Sequence, residues 1–152
     1  MDRIIKCYHT CSLKGGKDKV IQRVPFLSES RGQWLGQGFY FWTDSLKFAE
    51  LWGIEHYSSN YAINEFEVTV PEKNFFDLVG NVSQQEEFLA YVDSFYLLLD
   101  EMIEKKTSPE AKKKMRQELS TLRSKGVTVS SIFWVLKKLK KIDHYWVVKA
   151  YD

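Results

Sequence analysis

Cys7, His9 and Cys11 stand at alternate positions along Lys6-Cys7-Tyr8-His9-Thr10-Cys11, and that spacing raises two chemistries, a metal site and a disulfide. Geometry argues against both. On an extended strand the three side chains share one face with neighbours roughly 7 Å apart, whereas zinc holds its ligands at about 2.0 to 2.3 Å. Four extended steps also separate the Cα atoms of Cys7 and Cys11 by roughly 13 Å, beyond the reach of a disulfide. Both cysteines read as reduced thiols, no metal is expected, and His9 remains as the group with hydrogen-bonding chemistry to offer. A second chemistry-bearing stretch is Leu35-Gly36-Gln37-Gly38-Phe39-Tyr40-Phe41-Trp42, where two glycines precede four consecutive aromatics. Glycines there let a backbone approach a ligand closely. A third is the acidic pair Glu65 and Glu67.

These residues need elements to position them. Ile4 to Thr10 alternates apolar and polar residues, as a half-buried strand does. Lys14-Gly15-Gly16-Lys17 reads as a loop, Lys19 to Arg23 as a short turn of helix, and Phe26 to Gly32 as a surface-crossing loop. The aromatic run favours a strand, and Thr43-Asp44-Ser45 supplies N-cap chemistry for a helix carrying Leu46, Ala49, Leu51, Trp52 and Tyr57. Tyr61 to Val70 alternates cleanly, with Phe66, Val68 and Val70 on one face and Glu65, Glu67 and Thr69 on the other, until Pro71. Ser83 to Glu86 has the pattern of a capping box opening a long helix through Phe88, Val92, Phe95, Leu99 and Met102. Ser108-Pro109 starts a Lys-rich helix to about Ser124 with a thin stripe of Met115, Leu119 and Leu122, and Gly126 stops it. A third helix from Val129 to Lys141 buries Ile132, Phe133 and Leu136, and His144 to Ala150 forms a last strand.

Tyr8-His9-Thr10 on the first strand, with Gly36-Gln37-Gly38-Phe39-Tyr40-Phe41 leading into a helix that carries Ala49 and Trp52, resembles the His-Tyr-Glu class of ADP-ribosyltransferases. That class includes poly-ADP-ribose polymerases, diphtheria-type toxins and small bacterial toxin or defence enzymes. The resemblance covers residues 4 to 70. It implies a single α+β domain over residues 1–152, a split antiparallel sheet with inserted helices, in which 1–80 is the NAD-binding half and 81–141 is mainly helical. It further implies His9 and Tyr40 as catalytic residues and His9, Thr10, Gly38, Tyr40 and Trp52 as the NAD-binding set. His9 would hold a ribose hydroxyl, the Tyr40 ring would stack on the cationic nicotinamide, and the Thr10 backbone would lie near the carboxamide. NAD would be the substrate, with no metal. The acceptor of ADP-ribose would be a macromolecule, protein or nucleic acid, and an antitoxin or partner chain is the expected companion in a toxin, effector or phage-conflict setting.

The chain departs from the family pattern in three places. Thr10 stands where the family has glycine, Leu51 falls where polymerase-like members carry a second stacking aromatic, and no late strand offers a clear catalytic glutamate. Glu65 and Glu67 come too early in the family's order and read as the solvent side of a half-buried strand; Asp152 is a weaker candidate. Singly, a strand histidine is more often a satisfied structural group, and aromatics in a strand are more often core. Trp34 and Trp42 read as packing residues.

Composition bounds the alternatives. The chain of 152 residues, 44% hydrophobic and 15% aromatic, can bury one real core. No apolar run approaches the roughly 20 residues needed to span a bilayer, and the start of the chain lacks a signal-peptide pattern, so a cytoplasmic, membrane-free protein is expected. The net charge of +2 hides a division: from Lys105 onward 13 Lys or Arg face four acids, and before it nine bases face 16 acids. A Lys-rich helix is most often a solvated face, but this polarity can also attract nucleic acid or an acidic protein. Two rivals therefore accompany the enzyme reading: a non-catalytic or split module of the same fold, and a nucleic-acid-binding protein that uses the basic carboxy-terminal half.

Overall fold

The computed structural model describes residues 1–30, 33, 35–138 and 145–150. It is a mixed α/β chain that divides into two compact units. The first holds the chain to Glu72 except a short piece around Gly36; the second holds that piece and the chain from Lys73 onward.

In the first unit, β1 (Asp2–Ser12) is the central strand of a three-stranded antiparallel sheet, flanked by β2 (Trp42–Thr43) and β3 (Tyr61–Pro71). The β1–β3 ladder runs its full length, from Asp2 opposite Pro71 to Ser12 opposite Tyr61. Because strand side chains alternate, Cys7, His9 and Cys11 share one face with Phe66 and Asn64, while Lys6, Tyr8 and Thr10 share the other with Glu67, Glu65 and Ile63. Cys7, Cys11 and Val70 are buried, as is Val20 of α1 (Lys17–Arg23). On the Thr10 face lies α2 (Leu46–Tyr57): the Thr10 hydroxyl donates to the Ala49 carbonyl at 2.8 Å, and Ala49 is completely buried. Gly53 lets α2 sit this low, since a Cβ there would come within 2.5 Å of the Tyr61 ring. Ser45 is the N-cap of α2, but its hydroxyl makes no capping bond.

Two features of this unit differ from expectation. The aromatic run has the composition of a strand, yet only Trp42 and Thr43 pair with β1. The Tyr40 carbonyl accepts a hydrogen bond from the His9 ring, and the ladder ends at Trp42. Leu46, Phe48, Leu51 and Ile54 of α2 are exposed, while its fully buried residues are the small Ala49 and Gly53 and its Trp52 and Tyr57 are half-buried.

In the second unit, β4 (Phe75–Asp77) pairs with β5 (Val147–Lys149) in parallel, not antiparallel as expected. Around them pack α3 (Val82–Glu104), α4 (Pro109–Lys125) and α5 (Val129–Lys138), and the core is Phe76, Phe95, Ile132, Phe133, Leu136 and Tyr145. The α3 cap also differs from expectation: Asn81, not Ser83, accepts from the backbone of Gln84, which starts the helix two residues earlier. Asp77 sets that start by accepting from the N–H groups of Val79 and Gly80. Ser108 caps α4 through the Ala111 N–H, with Pro109 at its first position, and Gly126 ends it at a φ of 81°. Ile103 is buried on α3 where Met102 is half exposed. Residues 139–144, which include His144 and the expected end of the third helix at Lys141, lie outside the described residues, as do Trp34 and Asp152.

Candidate functional site

His9 lies on β1 with 6% of its surface exposed, and both ring nitrogens are engaged. Nδ1 lies 2.9 Å from the Tyr40 carbonyl, and Nε2 lies 3.2 Å from the Phe26 N–H. A carbonyl can only accept and an amide N–H can only donate, so Nδ1 carries the hydrogen and Nε2 presents its lone pair. One uncharged tautomer satisfies both partners. Phe26 and Phe41 enclose the ring at centroid distances of 6.2 and 5.7 Å, and Phe41 continues edge-on to Phe66. Asn64, opposite His9 in the ladder, donates to the His9 carbonyl and to the Cys11 sulfur.

The five residues of the expected NAD-binding set fall into two groups. His9 and Tyr40 meet through the Tyr40 backbone, and Gly38 is nearby in the same loop, bridged by two backbone hydrogen bonds to Ser28. Gly38 needs no glycine on steric grounds, since a Cβ there meets nothing within 4 Å. Thr10 and Trp52 belong to the opposite side of the sheet. The Thr10 side chain is committed to Ala49, and Trp52 stacks on His56 at 3.6 Å and 18° and leans on Trp42 at 5.9 Å. Trp42 in turn stacks on the exposed Phe48, so it packs as expected but within a partly open aromatic row.

Of the candidate acids, Glu65 and Glu67 do not approach His9, and Asp152 lies outside the described residues. Glu65 and Glu67 are exposed on the face opposite to it, and Glu65 is paired with Lys6 at 2.9 Å. Two open concavities also lie elsewhere: about 800 Å³ at the α2–β3 turn, lined by Ile54, Ser58, Ser59 and Tyr61, and about 410 Å³ along α4. Among the described residues no cluster of His, Cys, Asp and Glu could hold a metal ion, and no helix is long and apolar enough to cross a membrane. Burial raises the thiol pKa of both Cys7 and Cys11.

Two features escape a reading of the sequence alone. Phe26, in a stretch without periodicity, supplies the donor to His9, and no sequence signal marks a backbone N–H for that role. In the second unit, Glu87 accepts from the hydroxyls of both Tyr91 and Tyr145, the latter at 2.9 Å. Burial, and then hydrogen bonding to Glu87, pushes the Tyr145 hydroxyl up to about 12, and Tyr91 moves the same way. The spacing of Glu87 and Tyr91, one helical turn apart, is legible in the sequence; the arrival of Tyr145 is not.

No protein-family model matches this chain, and no curated protein or solved structure matches it either.

Proposed function

We propose that the first unit is an NAD site of ADP-ribosyltransferase type and that the chain is an NAD-dependent mono-ADP-ribosyltransferase acting on a macromolecular target. The observation that carries this reading is the hydrogen bond from His9 Nδ1 to the Tyr40 carbonyl, which joins the two residues of the resemblance across 31 positions of sequence. That bond leaves Nε2 as an acceptor of fixed direction, suited to a ribose hydroxyl. A hydroxyl donating to Nε2 takes the place of the Phe26 N–H, so NAD entry in this reading requires the Phe26 segment to shift. The Tyr40 ring then stacks on nicotinamide, whose positive charge favours an aromatic face. Cleavage of the nicotinamide–ribose bond passes through an oxocarbenium-like state and transfers ADP-ribose to the target nucleophile. A carboxylate is needed to stabilise that charge.

A specific observation favours a second reading, a non-catalytic module of the same type that holds NAD without cleaving it. Glu65 and Glu67 sit on the face away from His9, one of them bound to Lys6, so neither is placed to serve as the acid.

Calorimetric titration of NAD together with chromatographic assay of nicotinamide release distinguishes these. Binding with release supports the enzyme, provided Tyr40→Ala abolishes release while the fold persists. Binding without release, with cell lysate present as acceptor, selects the module. An absence of NAD binding at millimolar concentration sinks both.

A further inference from the structure

Ser28 and Gly38 exchange two backbone hydrogen bonds: the Ser28 N–H donates to the Gly38 carbonyl at 2.9 Å, and the Gly38 N–H to the Ser28 carbonyl at 3.2 Å. In an antiparallel pair such doubly bonded positions recur at every second residue of each leg, so the next position outward is Phe26 opposite Tyr40. There the His9 imidazole stands between the legs, accepting from the Phe26 N–H through Nε2 and donating to the Tyr40 carbonyl through Nδ1. One buried ring takes the place of a ladder pair and fastens both legs. Beyond it the legs are fastened differently. Two residues past Tyr40, Trp42 and Thr43 pair with β1, so the Tyr40 leg runs straight into the sheet. The Phe26 leg leaves α1 at Val24, whose N–H bonds the Val20 carbonyl at 3.0 Å, and reaches Ser28 without joining a strand. From Ser28 onward side chains hold it: Gln37 donates to the Glu29 carbonyl at 2.8 Å, and Gln33 to the Ser28 hydroxyl. Leu27 and Phe39, which lie opposite each other between the two positions, are 51% and 55% exposed.

We infer that the Phe26 leg is an autoinhibitory latch whose backbone N–H occupies the ligand-binding nitrogen of His9 in the free protein. In the NAD reading, on which this rests, Nε2 takes a ribose hydroxyl, and an amide N–H is a donor that competes for the same lone pair. His9 is 6% exposed, so a hydroxyl reaches Nε2 only after Phe26 has left it. The Phe26 leg is the one that releases, because its bond is the longer, 3.2 Å against 2.9 Å, and because the other leg is anchored in the sheet. The Tyr40 carbonyl keeps the hydrogen on Nδ1 throughout, so Nε2 remains an acceptor for whichever donor arrives. Apparent affinity for the ligand is then the intrinsic affinity reduced by the fraction of molecules with the latch open.

The test combines amide hydrogen exchange, read by NMR, with calorimetric titration of NAD into the full chain. In the free protein the Phe26 amide is expected to be protected, and saturation with NAD to lower that protection about tenfold or more. An amide unprotected in the free protein overturns the latch, and that arm needs no ligand. Protection that NAD leaves unchanged overturns it too. Incorporating phenyllactic acid at position 26 turns the amide into an ester, which deletes the N–H and keeps the ring. This variant should bind NAD about two- to tenfold more tightly, the worth of one neutral hydrogen bond. Phe26→Pro deletes the same N–H and should tighten binding likewise, with circular dichroism to confirm its fold. Leu27→Ala, at an exposed position of the same leg, should leave affinity within about twofold. Equal affinity in the wild type and the ester variant overturns the latch and leaves the NAD site standing. Binding by neither removes the NAD site and the latch with it, whereas binding by the ester variant alone supports both.

Discussion

His9 donates through Nδ1 to the carbonyl of Tyr40 at 2.9 Å, so these two residues are joined by backbone chemistry, independently of the tyrosine ring. The consequence is that fold and ligand roles can be separated by mutation. His9→Ala removes the partner of the Tyr40 carbonyl and of the Phe26 N–H together, and each orphaned group costs about 1 to 3 kcal/mol. A total loss of about 2 to 6 kcal/mol is expected in urea unfolding. Tyr40→Ala keeps the carbonyl and should lose less, on the order of 1 kcal/mol. Equal losses in the two variants would show that the imidazole is not the link between β1 and this segment.

Gly53 tests how α2 sits on the sheet. Alanine is the better helix former by about 1 kcal/mol, so Gly53→Ala would stabilise a free helix. Here the new methyl would meet the Tyr61 ring at 2.5 to 2.7 Å, and overpacking costs about 1 to 3 kcal/mol. A net fall in the thermal midpoint is expected, partly restored by adding Tyr61→Leu. A rise in midpoint for the single variant would mean that the ring yields freely.

Alkaline pH should weaken the second unit through Tyr145 and Tyr91. Their folded pKa values lie above the unfolded ones, because burial disfavours the phenolate and Glu87 accepts from each hydroxyl. The stabilisation is therefore complete below the ordinary value of 10.0 and is lost as pH climbs through the folded value, about 12 for Tyr145. Denaturant midpoints measured at steps between these limits should fall, and Tyr145→Phe should flatten the fall. An unchanged pH dependence in that variant would remove the cluster from consideration.

Cys7 and Cys11 are buried, and burial raises both thiol pKa values, which suppresses the reactive thiolate. Iodoacetamide should label the native protein on the order of 100-fold more slowly than the urea-unfolded chain. Rapid labelling of native protein would place at least one thiol at the surface.

Much of the chain is legible in the sequence because local chemistry decides it. Alternation announces β1 and β3, Ser108-Pro109 and Gly126 bound α4, and Ile132, Phe133 and Leu136 are recognisable as the buried side of α5. The cap of α3 is not, because Ser83 to Glu86 satisfies a capping pattern as well as Asn81 does, and the turn at Asp77 selects between them. Phe39 to Phe41 carry every residue preference of a strand, yet preference yields where a ring nitrogen competes for the Tyr40 carbonyl.

By itself, the sequence determined the candidate pair His9 and Tyr40, the face on which Cys7, His9 and Cys11 stand, and the concentration of positive charge from Lys105 onward. The pair follows from the resemblance of its two segments to a known family, the shared face from the two-residue period of a strand, and the charge division from simple counting. Tertiary structure alone decided which groups occupy those side chains. Phe26 and Tyr40 reach the His9 ring across 17 and 31 positions, Ala49 captures Thr10, and Tyr145 arrives at Glu87 from 58 positions away. Such partners depend on how distant segments pack, and a buried polar group takes whichever donor or acceptor that packing delivers, because leaving it without one costs more than any local preference can return.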